Sequence, residues 1–233
     1  MIYCASDIHG DYTRFKKLLE KINLIDSDTL FVLGDVIDRG QQPIEILQDM
    51  MYSSNVIPIL GNHEYVALQT LHLLTTEITK ESIALLDEEF MQGMLEWLNI
   101  GGQTTIDGFK KLSKDEQIDV LDYLSEFSLY EEVIVNGQDY ILVHAGLSNF
   151  SLDRKMEDYQ LYEFIFAKAE YYLTYFKDKI LVTGHTPTRF IEDNKGQDCI
   201  YKCNNHIAID CGVGYGGQLG AICLDTGEEF YVE

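Results

Sequence analysis

Positive charge is scarce in this chain: 17 lysines and arginines stand against 39 aspartates and glutamates, for a formal net charge of −22 over 233 residues. Such a surface repels a polyanionic backbone at long range, which argues against DNA or RNA as a partner. No apolar run approaches the roughly 18 residues of a membrane span, so no membrane partner is expected. The first residues, Met1 to Ser6, contain neither a basic leader nor a long apolar stretch. The expectation is therefore a cytoplasmic protein without a cleaved signal. A disulfide framework is also missing. The five cysteines (Cys4, Cys199, Cys203, Cys211 and Cys223) are odd in number and fall within apparent strands, as buried thiols in a reducing compartment do. Cys199 and Cys203 lack the second half of a zinc motif. There is no internal repeat, low-complexity segment or charged linker.

The apolar content of 46% and aromatic content of 12% are globular values, and 233 residues suit one domain with an inserted subdomain. Apolar runs at Ile2 to Ala5, Leu30 to Leu33 and Val56 to Leu60 read as buried strands. Helical patterns at Tyr12 to Ile22 and Pro43 to Met51 separate them, with Pro43 suited to a first helical turn. This alternation predicts a parallel sheet whose loops gather at its carboxyl edge. From about 65 to 130 the pattern is helical: Glu64 to Thr76, Lys80 to Asn99 and, after Gly101-Gly102, Ser113 to Phe127 behind the capping box Ser113-x-x-Glu116. Asn136-Gly137 then joins two strands as a hairpin. A long aromatic helix is expected over Tyr159 to Phe176, and the tail strands, near 199–202, 206–210, 219–224 and 230–232, suggest a second sheet packed on the first.

Five polar clusters each follow an apolar run: Asp7-Ile8-His9-Gly10, Gly34-Asp35-Val36-Ile37-Asp38-Arg39-Gly40, Gly61-Asn62-His63-Glu64, His144-Ala145-Gly146 and Gly184-His185-Thr186. An aspartate ending a strand is commonly a turn former, and a lone histidine is more often structural. Here Asp7, His9, Asp35, Asn62, His144 and His185 recur in one context. Hard oxygen and imidazole ligands with one carboxylate able to bridge are what a two-metal phosphoesterase centre needs. Manganese is the first choice for such ligation, and iron and zinc fit the same set. A phosphorylated substrate is compatible with the acidic chain, because bound dications reverse the local field.

The series resembles the calcineurin-like metallophosphoesterase superfamily, in its phosphoprotein phosphatase branch, and within it the compact bacterial and phage serine/threonine protein phosphatases. The branch motifs GDxHG, GDxVDRG, GNHE, HxG and GH[QT] occur in order over almost the whole chain. Two positions differ: Ser6 stands where the first glycine is usual, and Ile37 replaces valine. The resemblance implies a four-layer α/β/β/α sandwich, with Asp7, His9 and Asp35 on one metal and Asp35, Asn62, His144 and His185 on the other. It also implies a metal-bridging hydroxide as nucleophile, His63 as general acid held by Asp38, and Arg39 gripping phosphate oxygens. Relatives bring a second arginine from the helix after HxG; the matching stretch here offers Lys168, which is either a phosphate ligand or a solvated lysine. Glu64 either supports a metal ligand or caps the helix after it. The implied activity is hydrolysis of phosphoserine or phosphothreonine in proteins. The alternative is symmetrical cleavage of diadenosine tetraphosphate, since that branch shares the motifs, and a non-catalytic metal-stabilised scaffold is a third reading.

Overall fold

The computed structural model describes residues 1–76, 79 and 86–233. Strands β1 (Ile2–Ala5), β2 (Thr29–Leu33) and β3 (Val56–Ile59) pair in parallel, linked by helices α1 (Tyr12–Ile22) and α2 (Pro43–Met51). Asp11 caps α1 by accepting from Arg14 N, and Pro43 opens α2, where its missing N–H is no loss. Helices α3 (Asn62–Thr75), α4 (Glu88–Asn99), α5 (Gln103–Phe109) and α6 (Lys114–Ser125) follow before β4 (Tyr130–Val135) and β5 (Gln138–Val143) form the hairpin on Asn136-Gly137. Both turn residues have positive φ, 52° and 81°, as a tight right-twisting hairpin requires. The chain then passes through the short α7 (Leu161–Ile165), β6 (Lys179–Thr183), β7 (Tyr201–Cys203), β8 (His206–Ala208), β9 (Leu219–Cys223) and β10 (Glu229–Val232).

These strands make two five-stranded sheets, in orders β10-β9-β1-β2-β3 and β4-β5-β6-β8-β7. Period-two alternation divides the side chains between two apolar cores. Cys4, Phe31, Leu33, Leu142 and Val182 lie in one, and their strand neighbours Tyr3, Ala5, Val32, Ile141 and Leu181 in the other, with Phe15, Leu18 and Leu47 from the helices. Sheet packed on sheet with helices outside is the sandwich expected from the motifs.

Two local expectations need revision, and one helix was unforeseen. The tail strands do not all join the second sheet: β9 lies antiparallel to β1 in the first, and its five buried residues suit that central place. The span 159–176 is not a long helix. It contains only α7 and then an irregular stretch in which Ala167 and Ala169 pack against Gly146, and Tyr175 OH accepts from Glu170 N. Helix α5 begins directly after Gly101-Gly102 and was not anticipated. The start of the helix expected at Lys80 lies outside the described residues, and the part described is α4.

The predicted capping box at α6 forms: Ser113 Oγ accepts from Glu116 N, and Glu116 accepts from Ser113 N at 2.8 Å. Ser113→Ala should cost about 1 kcal/mol. In a chain of this size that is a fall in Tm of roughly 2–4 °C, read by circular dichroism. An unchanged melting curve would mean that the cap contributes nothing in solution.

Candidate active site

The site is made by the loops that leave the carboxyl ends of the strands, and their backbones are bonded to each other beyond the sheet. Asp7 N donates to Gly34 O (3.0 Å), His9 N to Asp35 O (2.9 Å), Gly10 N to Val36 O (2.8 Å) and Gly40 N to His9 O (2.9 Å). To turn so sharply, Asp7, His9, Asp35, Asp38, Arg39 and His185 all take positive φ, between 48° and 69°. Among the other described non-glycine residues that conformation falls mostly to asparagines, which tolerate it. Its concentration on aspartate, histidine and arginine marks a site where side-chain direction is set at the expense of backbone ease. Gly34 has no alternative residue: a Cβ there would stand 2.6 Å from both Gly61 Cα and His144 Nδ1.

Glu64 fixes the second loop. It is wholly buried, and its two oxygens accept from Asp35 N (2.8 Å), Val36 N (2.8 Å), Ile37 N (3.2 Å) and Gly61 N (3.1 Å). It therefore both caps α3 and supports Asp35, so the two readings of this residue are one structure. Burial and the Asp35 charge push its pKa up to about 7, against the pull of His63 and the backbone N–H groups.

Around Asp35 the imidazoles converge. His144 Nδ1 donates to Leu33 O at 2.7 Å, and His9 Nδ1 lies 3.3 Å from Ile37 O; a carbonyl only accepts, so each Nε2 is left with its lone pair facing inward. His144 Nε2 is 3.0 Å from Asn62 Oδ1, 3.1 Å from His185 Nδ1 and 3.4 Å from Asp35 Oδ1. Two groups of ligating atoms result, one of His9, Asp35 and His63 and one of Asp35, His144 and His185, and Asp35 belongs to both. Burial lowers the pKa of His9 to about 3 and of His185 to about 4, so both imidazoles are neutral at ordinary pH, the form in which they could bind a cation. Oxygen and imidazole donors aimed at one another, with buried carboxylates and no lysine between them, fit a pair of hard divalent cations.

The six expected ligands are thus brought together at one edge, with one difference in detail. Asp7 is buried beside Asp35, but its Oδ2 accepts from His185 N (2.9 Å), and the donor set around His9 and Asp35 includes His63. Burial, followed by the charges of Asp210 and Asp35, raises the Asp7 pKa well above the carboxylate range. Asp210 is a buried group the sequence reading passed over. It ends its strand region as Asp-Cys-Gly, much as the other clusters do, accepts from Gly212 N at 2.8 Å, and is pushed up to about 7 by burial.

His63 Nδ1 lies 2.6 Å from Asp38 Oδ2, and Arg39 lies 3.4 Å from His63 Nε2. Asp38 pairs with His63 and not with its neighbour Arg39. Two further partners, unforeseen in sequence, come from the helical segment: Trp97 Nε1 of α4 donates to Asp38 Oδ2 (2.7 Å), and Thr105 Oγ1 of α5 donates to Oδ1. Gly101 and Gly102 allow this, because a Cβ on either would strike Arg39 or the Trp97 ring. Burial alone would lower the His63 pKa, but the charge of Asp35 and the hydrogen bond and charge of Asp38 outweigh it and leave it raised. Lys168 is exposed in the irregular stretch after α7, between the two alanines that flank Gly146. His72 is exposed, and His206 is buried against Thr183 and Tyr171; neither belongs to the site.

Residues 1–213 match the family described as calcineurin-like phosphoesterase. A curated relative from Chromobacterium violaceum, named bis(5'-nucleosyl)-tetraphosphatase, symmetrical, is 27% identical over 206 residues, which are 84% of this chain and 60% of that protein. The chain spans about half the length of the curated relatives it matches. A solved structure provisionally described as a diadenosine tetraphosphatase has a TM-score of 0.67 at 17% identity, over 99% of this chain and 92% of the other. A protein serine/threonine phosphatase from Saccharomyces cerevisiae has a TM-score of 0.53 at 14% identity, over 100% and 80%. At such identities the solved structures speak for the fold alone.

Asp38→Asn should retain the bound metals and lower kcat by about 10²-fold, the lower range for a proton donor. Since Asp38 raises the His63 pKa, its loss should also move the basic limb of the kcat/KM profile to lower pH. Trp97→Phe keeps the ring and removes one bond to the carboxylate, so a smaller shift in the same direction is expected. A basic limb that stays in place in Asp38→Asn would take His63 out of the profile.

Proposed function

The chain belongs to the calcineurin-like phosphoesterase family, and from that premise we propose that it is a two-metal hydrolase of phosphate esters and phosphoanhydrides whose preferred substrate is a dinucleoside tetraphosphate. The observation that carries the chemistry is Asp35, shared by two ligand clusters, with the Asp38–His63 pair beside it. The names of the curated relatives support the substrate.

One cation would be held by Asp7, His9 and Asp35, and the other by Asp35, Asn62, His144 and His185, with manganese the first choice for this mixed donor set. Bound there, the ions would supply a nucleophile generated from water and positive charge for the phosphoryl oxygens. The chain's own groups do the rest. Arg39, held by its Nε to Ile100 O at 3.3 Å, presents its planar fork to the phosphate. His63 delivers a proton to the departing oxygen from Nε2, because Asp38 occupies Nδ1 and favours the charged form of the ring. Lys168, between the two alanines that pack against Gly146 of the fourth cluster, is offered as a further cation for a longer phosphate chain. Residues 1–233 are read as one domain, with the helices of about 65–130 as an insertion, and the proposed compartment is the cytoplasm.

A second reading, hydrolysis of phosphoserine or phosphothreonine, is favoured by the same dyad. An alkoxide leaves with a greater need for a proton than a diphosphate does, and a buried histidine with a raised pKa answers that need. The manganese-loaded protein should convert diadenosine tetraphosphate to ADP with a larger kcat/KM than it shows in releasing phosphate from a phosphothreonine peptide; the reverse order would make the second reading the correct one. His63→Asn should keep both metals and lose about 10²–10⁴-fold on an alkyl phosphate, and much less on p-nitrophenyl phosphate. Equal losses on the two would remove proton donation from the role of His63. Failure to hydrolyse any phosphate ester with two metals bound would leave only a metal-stabilised scaffold.

A further inference from the structure

A cavity of about 480 Å³ opens directly beside the ligand cluster. His9 and Arg39 line its inner end, and its outer walls come from three segments: the start of α1 with Tyr12 and Thr13, the loop before α2 with Gln41 and Gln42, and the turn Val213-Gly214. Its volume lies within the range of small-molecule sites, about 300–1,000 Å³. Because Arg39 belongs both to the candidate phosphate site and to this wall, a phosphate gripped there would carry its substituent across the cavity mouth.

The lining says what that substituent is. Charge is low: Asp11 is engaged by Arg14 at 3.5 Å, the Tyr12 hydroxyl donates to Asp49 at 2.9 Å, and Lys16, itself paired with Asp49, lies over one face of the Tyr12 ring at 5.7 Å, which leaves the opposite face as a flat wall. The amides of Gln41 and Gln42 form no hydrogen bond with any described residue, and Gln42, although it precedes α2, does not cap it. An unengaged carboxamide offers one acceptor and two donors in a plane. That pattern matches the edge of a heterocycle, and glutamine pairs with both N6 and N7 of adenine. Tyr215, next to Gly214 of the lining, carries the Arg39 guanidinium over its ring at 5.0 Å and meets Phe190 edge-on, so an aromatic surface adjoins the cavity.

We infer that this cavity is a nucleoside subsite, in which Gln41 and Gln42 read the edge of an adenine-type base lying along Tyr12 and Val213 while its phosphate is held at Arg39. The inference rests on the hydrolase reading above and names the end of the substrate that the ligand clusters do not touch.

Two measurements test it. The first needs no metal: saturation-transfer NMR of the metal-free protein with adenosine or uridine. Wild type should show transfer to adenosine in excess of uridine, and Gln41→Ala/Gln42→Ala should lose that excess. The second is specificity in the manganese-loaded protein. Each lost amide contact is worth about fivefold, so the double variant should lower the ratio of kcat/KM for diadenosine tetraphosphate to that for p-nitrophenyl phosphate by about 25-fold. Wild type that cleaves the dinucleotide while the double variant keeps its ratio and its adenosine contact would overturn the subsite and leave the hydrolase reading intact. Wild type that cleaves p-nitrophenyl phosphate or a phosphopeptide but not the dinucleotide would overturn the nucleoside assignment. Inactivity on every phosphate ester with two metals bound would overturn the hydrolase reading itself.

Discussion

A single buried carboxylate, Glu64, holds the site in its working shape. The loop after β2 turns out of the sheet so tightly that three consecutive N–H groups, those of Asp35, Val36 and Ile37, would be left without partners in a dry interior. Glu64 accepts all three and also the N–H of Gly61. Unpaired, such buried donors would cost several kcal/mol together. Because Glu64 sits in the first turn of α3, meeting this need also fixes the helix against the loop. Asn62 and His63 are then carried to Asp35 by the same helix, and His63 N itself donates to Asp35 Oδ1 at 3.2 Å. Placement of a candidate metal ligand, of the candidate proton donor and of the residue shared between clusters is one structural event.

The helical insertion is joined to the site through a different carboxylate. Asp38 is fully buried and forms hydrogen bonds with Trp97, Thr105 and His63, two of which belong to α4 and α5. Arg39 is attached to the turn between those helices by Gly101 O and Ile100 O. The insertion therefore does more than roof the site: it sets the direction of the candidate acid and of the candidate phosphate grip. Where an insertion bonds to such groups, differences in that segment among relatives can alter leaving-group preference while every metal ligand stays the same.

The polar clusters were readable in sequence because strand-ending ligands keep fixed spacing from apolar runs, and β1, α1 and α2 were readable because their periodicity is uninterrupted. What escaped has a common cause. Trp97 and Thr105 lie about 60 residues or more from Asp38 in the chain, and no local pattern reports that contact. The segment 159–176 has the composition of a helix, yet Ala167 and Ala169 must pass flat against Gly146, and that tertiary demand defeats propensity. Strand β9 reads like any tail strand; only the unoccupied edge of β1 determines which sheet receives it. Asp210 was invisible because a strand-ending aspartate without a neighbouring histidine looks like a turn.

The charge balance of the site decides how a chain of net charge −22 can attract a phosphate. Asp7, Asp35, Asp38, Glu64 and Asp210 are all buried within it. Desolvation, with a mutual repulsion that a dry interior screens little, raises the pKa values of Asp7, Glu64 and Asp210. Asp35 alone is held below the carboxylate range; burial opposes this, but His144, His63, His9 and His185 surround it. The carboxylates that a cation pair would meet directly are those of Asp7 and Asp35, and a bound cation favours their charged form. Two dications facing roughly two carboxylate charges would leave the centre net positive, and Arg39 adds to that sign. The remaining acidity lies on the outer surface, where salt screens it beyond about 10 Å. An anion that reaches the mouth is drawn in by the local charge, while a long polyanion, which must lie across the acidic exterior, is turned away. The same arithmetic favours a compact substrate whose phosphates are followed by a neutral group, and the lining beside Arg39 is nearly free of unpaired charge.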